Sequence, residues 1–201
     1  MDSVYKYKTI VKESTSDFRD RGSKFFGFAY PINDLDEVKD IVKDLKKAHP
    51  KAVHYCYGCR VGVDGTMFRA NDDGEPSGSA GKPILGQIDS AGLTNVLVVV
   101  VRYFGGTLLG VPGLINAYKT ATEEALTKAE VVEKQIEKII TITFDYPVMN
   151  DVMQLLKQSE ATIHKQDLQL FCEIKAGIPL SAAEEYFAKL SELRGVNIKD
   201  N

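Results

Sequence analysis

Residues 71–83 read Asn-Asp-Asp-Gly-Glu-Pro-Ser-Gly-Ser-Ala-Gly-Lys-Pro, and residues 96–110 read Val-Leu-Val-Val-Val-Val-Arg-Tyr-Phe-Gly-Gly-Thr-Leu-Leu-Gly. The apolar run Val96–Val101 has no polar alternation, which predicts a central strand covered on both faces. Glycine loses more backbone freedom on folding than any other residue, so glycine-rich loops are costly to order. Two such polar blocks around a buried strand indicate an ordered surface that contacts another molecule.

The sequence on both sides of this strand predicts further helices and strands. Apolar residues at helical spacing follow Asn33 or Asp34, either of which can cap a helix that ends at His49. A longer helix is predicted from about Pro112 to Ala129, where the apolar positions form one stripe. Four predicted strands and one short helix complete this part: Val4–Val11, Lys24–Pro31, Val53–Val63, Thr66–Ala70 and the helix Pro83–Ala91.

The charged stretch Glu130–Lys138 marks a predicted boundary between two domains, at residues 1–132 and 136–201. The second domain has the order strand, helix, strand, strand, helix, strand, which is the split arrangement of ferredoxin-like domains. The predicted fold class is therefore α+β. The elements of this second domain are predicted at Ile139–Tyr146, Val148–Ser159, Ala161–Lys165, Gln169–Ala176, Ser181–Arg194 and Val196–Lys199.

Composition narrows the class of protein. A chain of 201 residues with 44% hydrophobic and 26% charged residues is typical of a globular protein with two small domains. It has no apolar run long enough to span a membrane, and the N-terminus lacks the apolar core of a signal peptide. Three cysteines do not make a disulfide framework. We therefore expect a cytoplasmic protein with reduced thiols and no membrane contact.

The charge balance bears on nucleic-acid binding. The net charge is −3, and neither half of the chain carries the basic excess that drives contact with phosphate backbones. We therefore expect no binding to DNA, and composition gives only weak support to RNA as a partner.

Asp72, Asp73 and Glu75 place three carboxylates within four positions. One interpretation is a hard-cation site, since Mg²⁺ and Ca²⁺ prefer oxygen ligands. A second is that they cap the following helix, whose free N–H groups attract anionic side chains. A third is that they pair with Arg102 or Lys82. The spacing fits no calcium loop, so capping is favoured over a metal, and no metal site is predicted.

Ser77, Ser79 and Lys82 lie in a small-residue segment that leads into the predicted helix. The composition resembles a phosphate cradle, because a helix N-terminus favours anions. The Gly-x-x-x-x-Gly-Lys-Ser/Thr spacing is missing, however, and the neighbouring carboxylates repel an anion. Ser77 has no histidine near it in the sequence that would activate it. No catalytic residue and no cofactor are therefore predicted.

Arg102, Tyr103, Gly105 and Gly106 form the turn between the central strand and the long helix. This geometry is used by ligand sites in α/β proteins, and also by tight packing without a ligand. Arg102 at the end of the strand is the residue that we most expect to hold a carboxylate or phosphate. Tyr103 and Phe104 are either exposed stacking platforms or core residues.

His54 belongs to the pattern His54-x-Cys56-x-x-Cys59. On a strand, His54 and Cys56 share one face while Cys59 points the other way, so the three do not converge as zinc ligands. Buried thiols and a hydrogen-bonded histidine are the favoured interpretation. His54 also remains a candidate acid or base near neutral pH.

Residues 72–85, residues 101–110 and the preceding His54-x-Cys56 resemble the IMPACT/YigZ family over about residues 15–125. The resemblance implies a first domain with the fold of domain 2 of ribosomal protein S5. It also implies a second domain similar to a ferredoxin-like domain of translation elongation factor G. The family pattern Gly-Gly-Leu-Val-Arg-Ala-Tyr reads Pro-Gly-Leu-Ile-Asn-Ala-Tyr here, with Pro112 and Asn116 in place of glycine and arginine. The loss of that arginine weakens the case for phosphate or RNA contact.

The resemblance implies a function in translation. Eukaryotic relatives regulate translation initiation by competing for the ribosome-associated activator of a stress kinase, and nucleic-acid binding has been suggested for bacterial members from their folds. We rank a binding module with a ribosomal or translation-regulatory protein partner first. An enzyme or nucleotide- or small-ligand-binding protein that uses the same groove ranks second, and an RNA-binding protein third. The predicted contact residues are His54, Asp72, Asp73, Glu75, Ser77, Ser79, Lys82, Arg102, Tyr103, Gly105 and Gly106.

Overall fold

The chain forms two compact units in a computed structural model that describes residues 5–169 and 171–200. The first unit comprises Tyr7–Lys134. The second comprises the residues from Gln135 onward together with Tyr5 and Lys6. The described residues form eleven strands and five α-helices, so the fold class is α+β. The assignment of Tyr5 and Lys6 differs from the predicted domain of residues 1–132.

The first unit is built around a five-stranded antiparallel sheet with the order β2-β3-β6-β4-β5. A separate two-stranded sheet pairs β1 with β7. In chain order the elements are β1 (Lys6–Ile10), β2 (Ser14–Asp20), β3 (Ser23–Pro31), α1 (Glu37–Ala48), β4 (His54–Val61), β5 (Met67–Asn71), α2 (Gly81–Ser90), β6 (Val96–Tyr103), α3 (Gly110–Thr127) and β7 (Val131–Gln135).

The central strand β6 is buried on both faces, as its uninterrupted apolar sequence predicts. Val96, Val98 and Val100 join a core cluster with residues of α2 and α3. The alternate residues, which include Leu97 and Val99, join a second cluster with residues of α1. This alternation sends Arg102 to the face covered by α2 and α3.

Strand β2 was not predicted, because two of the residues that turn toward the core, Ser14 and Ser16, are polar and Phe18 adds a single apolar side chain there. Ser14 and Ser16 donate their hydroxyl hydrogens to the carbonyl oxygens of Ala125 and Ala121 in α3, at 2.8 and 2.6 Å. These hydrogen bonds give each serine hydroxyl group a partner on the inner side of the strand, where less water is available to it. The strand consequently lacks the apolar alternation from which strands are recognised.

The ends of other predicted elements also differ from the structure. The stretch Glu130–Lys138 was assigned to a boundary, but it contains β7 and the start of the next strand. The strand predicted to begin at Val4 starts at Lys6 in the described part of the chain, and Val4 lies outside it. Leu170, within the predicted strand Gln169–Ala176, also lies outside the described residues.

The second unit has one four-stranded sheet with the order β11-β8-β10-β9. The order of strands and helices along the chain matches the prediction, and a 3₁₀ turn precedes the first helix. Residues of both helices pack with the sheet in one core cluster. The elements are β8 (Glu137–Asp145), the turn Tyr146–Val148, α4 (Met149–Gln158), β9 (Thr162–Leu168), β10 (Phe171–Pro179), α5 (Ala183–Glu192) and β11 (Val196–Asp200).

Helix α2 lies directly against strand β4 at Gly58. A β-carbon at this position would stand 2.6 Å from the backbone nitrogen of Leu85 and 2.9 Å from its α-carbon. A β-carbon does not come this close to an atom to which it is not bonded, so only glycine lets the helix approach the strand so closely. The position of α2 in turn determines where the loop that leads into it can lie.

A membrane-spanning helix is absent from the part of the chain that the structure describes.

Candidate functional site

Asp72 fixes the loop that leads into α2. Its carboxylate accepts hydrogen bonds from the backbone N–H groups of Gly78, Ala80 and Gly81, at 2.8, 3.0 and 2.8 Å. Burial acts to raise the pKa of Asp72, but these N–H donors outweigh it and the net pKa is lowered. This is the capping role that the sequence favoured, and it directs the side chain into the loop.

An acid titration is expected to separate the wild type from Asp72→Asn. Because the folded-state pKa of Asp72 lies below its ordinary value of 3.8, the ionised side chain contributes stability that is fully present above that value. This contribution is lost as the pH falls through the lower folded-state pKa. Urea unfolding between about pH 7 and pH 3 should therefore show a shallower pH dependence for Asp72→Asn. An identical dependence in the two proteins would contradict the assignment.

Asp73 holds the same loop against strand β4. Its backbone is in the left-handed region, with φ of 42°, and its N–H donates to the side-chain oxygen of Asn71 at 2.7 Å. Its carboxylate accepts from the backbone N–H of Tyr55 at 2.7 Å and lies 3.7 Å from Lys46 Nζ. Asp73 is therefore a structural residue of the loop.

The carboxylates do not converge on a common point. Within residues 5–169 and 171–200, no group of three or more His, Cys, Asp or Glu side chains is arranged to hold a metal ion. Asp72 and Asp73 are directed to different sets of N–H donors, and Glu75 points into the interior. The arrangement gives the hard-cation interpretation no support.

A buried ion pair joins the two glycine-rich segments. Arg102 Nη1 donates to Glu75 Oε1 at 2.5 Å, and the Tyr118 hydroxyl donates to the same oxygen at 2.7 Å. Only 6% of the Arg102 side chain and 4% of the Glu75 side chain are exposed. The guanidinium carbon lies 5.4 Å from the ring centre of Phe25 and 5.7 Å from that of Phe104, so two aromatic rings also stabilise the cation. The predicted pairing of a carboxylate with Arg102 is confirmed for Glu75.

Cys56 and Tyr118 form the inner end of this network. Cys56 Sγ lies 3.0 Å from the carbonyl oxygen of Asp72 and 3.3 Å from Tyr118 Oη, and either oxygen can accept its S–H. Burial raises the pKa of the Cys56 thiol, and burial likewise raises the pKa of the Tyr118 hydroxyl. Both groups are therefore neutral hydrogen-bond donors at neutral pH, and Cys56 is not a thiolate nucleophile.

His54 lies beside the ion pair in a fixed orientation. Its Nδ1 is 2.8 Å from the carbonyl oxygen of Asp73, which can only accept, so Nδ1 carries the hydrogen. This leaves Nε2 facing Glu75 Oε1 at 3.8 Å, with 22% of the histidine side chain exposed. Cys56 packs on the same side of the sheet, whereas Cys59 packs on the other, as the strand alternation predicted.

His54, Glu75 and Arg102 form the floor of an open cleft of about 410 Å³ in the first unit. Its mouth is apolar and open: the side chains of Val53, Phe104 and Val111 are about half exposed, and Leu108 is 82% exposed. The residues that line the cleft are Val53, His54, Glu75, Pro76, Arg102, Phe104, Leu108, Leu109, Gly110, Val111 and Leu114. An apolar entrance thus leads to a buried charged pair.

The ion pair leaves hydrogen-bonding atoms without a partner. Arg102 Nε is buried and makes no hydrogen bond in the structure. Arg102 Nη2 and Glu75 Oε2 also have no hydrogen-bond partner among the described residues, although both side chains line the cleft. Nε is buried out of reach of a ligand, whereas Nη2 and Oε2 belong to side chains that line the cleft, so a ligand that hydrogen-bonded to these two atoms would supply the partners that they lack.

Several predicted contact residues lie elsewhere. Ser77 and Lys82 are exposed to solvent and do not line the cleft. Ser79 is buried, and its hydroxyl donates to the carbonyl oxygen of Pro76 at 2.6 Å. Tyr103 points to the opposite side of the sheet, where its hydroxyl lies 3.0 Å from His49 Nδ1.

The two glycines of the turn contribute backbone shape. A β-carbon on Gly105 would stand 1.9 Å from the carbonyl carbon of Gly22, so this glycine allows the turn to touch the β2–β3 hairpin. Gly106 has φ of 86°. The departures from the family pattern, Pro112 and Asn116, are both exposed and disturb no buried contact.

The sequence reasoning missed Tyr118 and the apolar wall of the cleft. Tyr118 belongs to the apolar stripe predicted for the long helix, where its hydroxyl group gives no separate signal. The wall residues Leu108 and Leu109 follow the glycine pair after Thr107, and Val111 lies in the first turn of α3. Two large apolar residues in a glycine-rich turn, with a third just after it, were the available signal, because a turn that only connects two elements has no need of them.

A family model and several curated proteins that carry the name IMPACT are similar to this chain. A model of the Impact N-terminal domain matches residues 21–126. IMPACT family member YigZ of Escherichia coli is 32% identical over 186 residues, which cover 92% of this chain and 88% of that protein. A protein IMPACT homolog of Saccharomyces cerevisiae is 34% identical over 116 residues, covering 55% of this chain and 43% of its own length. A crystal structure titled only as a hypothetical protein superimposes with a TM-score of 0.77, at 28% identity, over 99% of this chain and 98% of its own.

Proposed function

The chain belongs to the IMPACT family, and from that membership we propose that it is a regulatory binding protein of translation that contacts a protein partner through the cleft. The resemblance of its motifs to a family that regulates translation initiation in eukaryotes supports the biological process. Such a role is carried out in the cytoplasm, on a ribosomal or translation-regulatory protein. All residues that line the cleft fall within the segment matched by the family model.

The observation that carries the proposal is the exposed apolar mouth of the cleft. Val53, Phe104, Leu108 and Val111 keep large apolar surfaces in contact with water. Exposed apolar surface that surrounds a preformed cleft is typical of interaction sites. Binding energy at protein interfaces concentrates where a few large side chains enter such a cleft.

The proposed domain folds agree with this role. The order β11-β8-β10-β9 in the second unit, with both helices packed against one sheet, supports a ferredoxin-like domain. The antiparallel five-stranded sheet of the first unit is compatible with the proposed S5 domain 2-like fold. One fold hosts many functions, so the cleft and the family membership support the proposed function more directly than the folds do.

A second candidate function is an enzyme that acts on a small substrate in the same cleft. The orientation of His54 favours it, because its Nδ1–H is held by the carbonyl of Asp73 while Nε2 faces the cleft beside Glu75. RNA binding has weaker support. The floor of the cleft contains a carboxylate, the exposed position 116 is asparagine, and the chain carries a net charge of −3.

We expect Leu108→Glu to abolish co-sedimentation of the protein with ribosomes from a cell extract. The glutamate places a charge at the most exposed point of the apolar mouth, where a partner would have to bury it. Both proteins are pelleted at low and at high salt, and bound protein is quantified by immunoblot. Variants of Asp73 or Arg102 are less suitable, because both residues also hold the structure together.

Val63→Glu is the matched control. Val63 is 48% exposed and lies in the same unit but outside the cleft, so it introduces an equal charge without touching the proposed surface. We expect it to pellet like the wild type. If the wild type does not pellet at either salt concentration, or if the two variants lose pelleting equally, the proposal is wrong.

A further inference from the structure

We propose that the cleft binds an uncharged, apolar peptide segment, recognised through a backbone amide by Glu75 and Arg102. The amide N–H donates to Glu75 Oε2 and a neighbouring C=O accepts from Arg102, while the adjacent apolar side chain packs against Phe104 and Leu108. This inference rests on the proposed function, since it specifies the chemistry of the partner at the same cleft.

The charge of the cleft floor selects an uncharged ligand. Glu75 and Arg102 are more than nine-tenths buried and neutralise each other through a 2.5 Å hydrogen bond. A phosphate or carboxylate that approached Arg102 would meet the Glu75 carboxylate at the same time, and a cation would meet the guanidinium. Burying a charge without a partner is unfavourable, so the site discriminates against both kinds of ion.

The unpartnered atoms of the floor match a peptide group. Glu75 Oε2 offers an acceptor, and Arg102 offers donors at Nη2; the described residues of the chain provide no hydrogen-bond partner to either atom. A ligand that satisfies both sides must carry a donor and an acceptor close together without net charge. A peptide backbone supplies this combination at every residue.

The walls of the cleft select apolar side chains next to that peptide group. Val53, Phe104, Leu108 and Val111 border the opening, and Leu109 and Leu114 are buried behind them. The volume of about 410 Å³ is at the lower end of the range of about 300–1,000 Å³ that is usual for ligand pockets. It therefore suits one or two side chains of a short segment better than a large cofactor.

The test is a titration of the complete ¹⁵N-labelled chain with acetyl-leucyl-leucine amide, followed by two-dimensional NMR. We expect saturable shifts confined to the backbone amides of the cleft, at residues 53–54, 75, 102, 104, 108–111 and 114. The form of the same peptide that is methylated at both leucine nitrogens and dimethylated at the terminal amide has no N–H donor. It is expected to bind at least about tenfold more weakly, because Glu75 Oε2 then loses its donor.

Protein variants test the apolar part of the site. Leu108→Glu is expected to weaken peptide binding at least about tenfold, and Val63→Glu to change it less than about twofold. Inorganic phosphate and adenosine monophosphate, added separately, are expected to leave the cleft amides unshifted. The inference is overturned if the peptide gives no saturable shift at the cleft, if N-methylation has no effect, or if either phosphate compound binds there more tightly.

The two proposals can fail separately. If the peptide binds but the protein does not pellet with ribosomes, the proposed peptide ligand stands and the proposed function in translation is wrong. Pelleting that depends on Leu108 without peptide binding would retain the docking surface and overturn the peptide chemistry. Each result thus identifies the step at which the reasoning is wrong.

Discussion

Glu75→Ala is expected to lower the free energy of unfolding of the first unit by about 3–5 kcal/mol, because it leaves the Arg102 guanidinium buried without a counter-charge. The variant also removes the acceptor of the Tyr118 hydroxyl, which adds a second unsatisfied buried group. Urea unfolding monitored by tyrosine fluorescence and circular dichroism measures the change.

A double variant separates the cost of an unpaired charge from the cost of lost packing. Glu75→Leu combined with Arg102→Met removes both charges and keeps apolar volume at both positions, so we expect it to be more stable than Glu75→Ala. Asp17→Ala is the control, because it breaks an ion pair with Arg19 whose two side chains are well exposed. It should leave the unfolding midpoint unchanged. If Glu75→Ala and Asp17→Ala behaved alike, the ion pair would not be a stabilising element of the site.

The second large effect is expected at Gly58. Gly58→Ala inserts a β-carbon where the backbone of Leu85 already stands at 2.6 Å, so helix α2 must move away from strand β4. Overpacking of this kind costs typically 1–3 kcal/mol, and we expect about 3 kcal/mol here because the opposing atoms are backbone. Thermal and urea unfolding measure the loss.

Gly86 provides the matched control for this substitution. It lies inside α2, the same helix, and a β-carbon on it would have open space around it. Gly86→Ala is therefore expected to raise stability by up to about 1 kcal/mol, through the higher helix propensity of alanine. A similar loss of stability in both variants would show that helix α2 does not depend on its close approach at Gly58.

The sequence predicted those parts of the fold in which local pattern and burial agree. Val96–Val101 is apolar without interruption, and it is the central strand of the sheet. The six elements of the second unit were predicted in the correct order because each has its own periodicity. Strand β2 was missed because its inward residues Ser14 and Ser16 are polar. Each can face the core because its hydroxyl group donates a hydrogen bond to a backbone carbonyl oxygen more than one hundred residues away in the sequence.

The candidate site could also be predicted only in part from the sequence. The pairing of a carboxylate with Arg102 was one of three alternatives, and the fold was needed to select Glu75 over its neighbours Asp72 and Asp73. Tyr118 could not be assigned, because a tyrosine on an apolar helix stripe looks the same whether or not its hydroxyl meets a buried carboxylate. Side-chain hydrogen bonds between distant segments leave no periodic signal in the sequence.

Tyr5 belongs to the second unit, although it precedes the whole of the first unit along the chain. Its carbonyl oxygen accepts the N–H of Ile136 at 2.7 Å, and its side chain lines a cavity of about 520 Å³ with Leu180 and Phe187 of the second unit. In topological terms, the first unit is an insertion between Lys6 and Gln135 of the second. A fragment that starts at Gln135 therefore lacks the N-terminal residues that belong to the second unit. Removing Tyr5 from the full chain is expected to destabilise that second unit, although most of its residues lie more than one hundred positions later in the sequence.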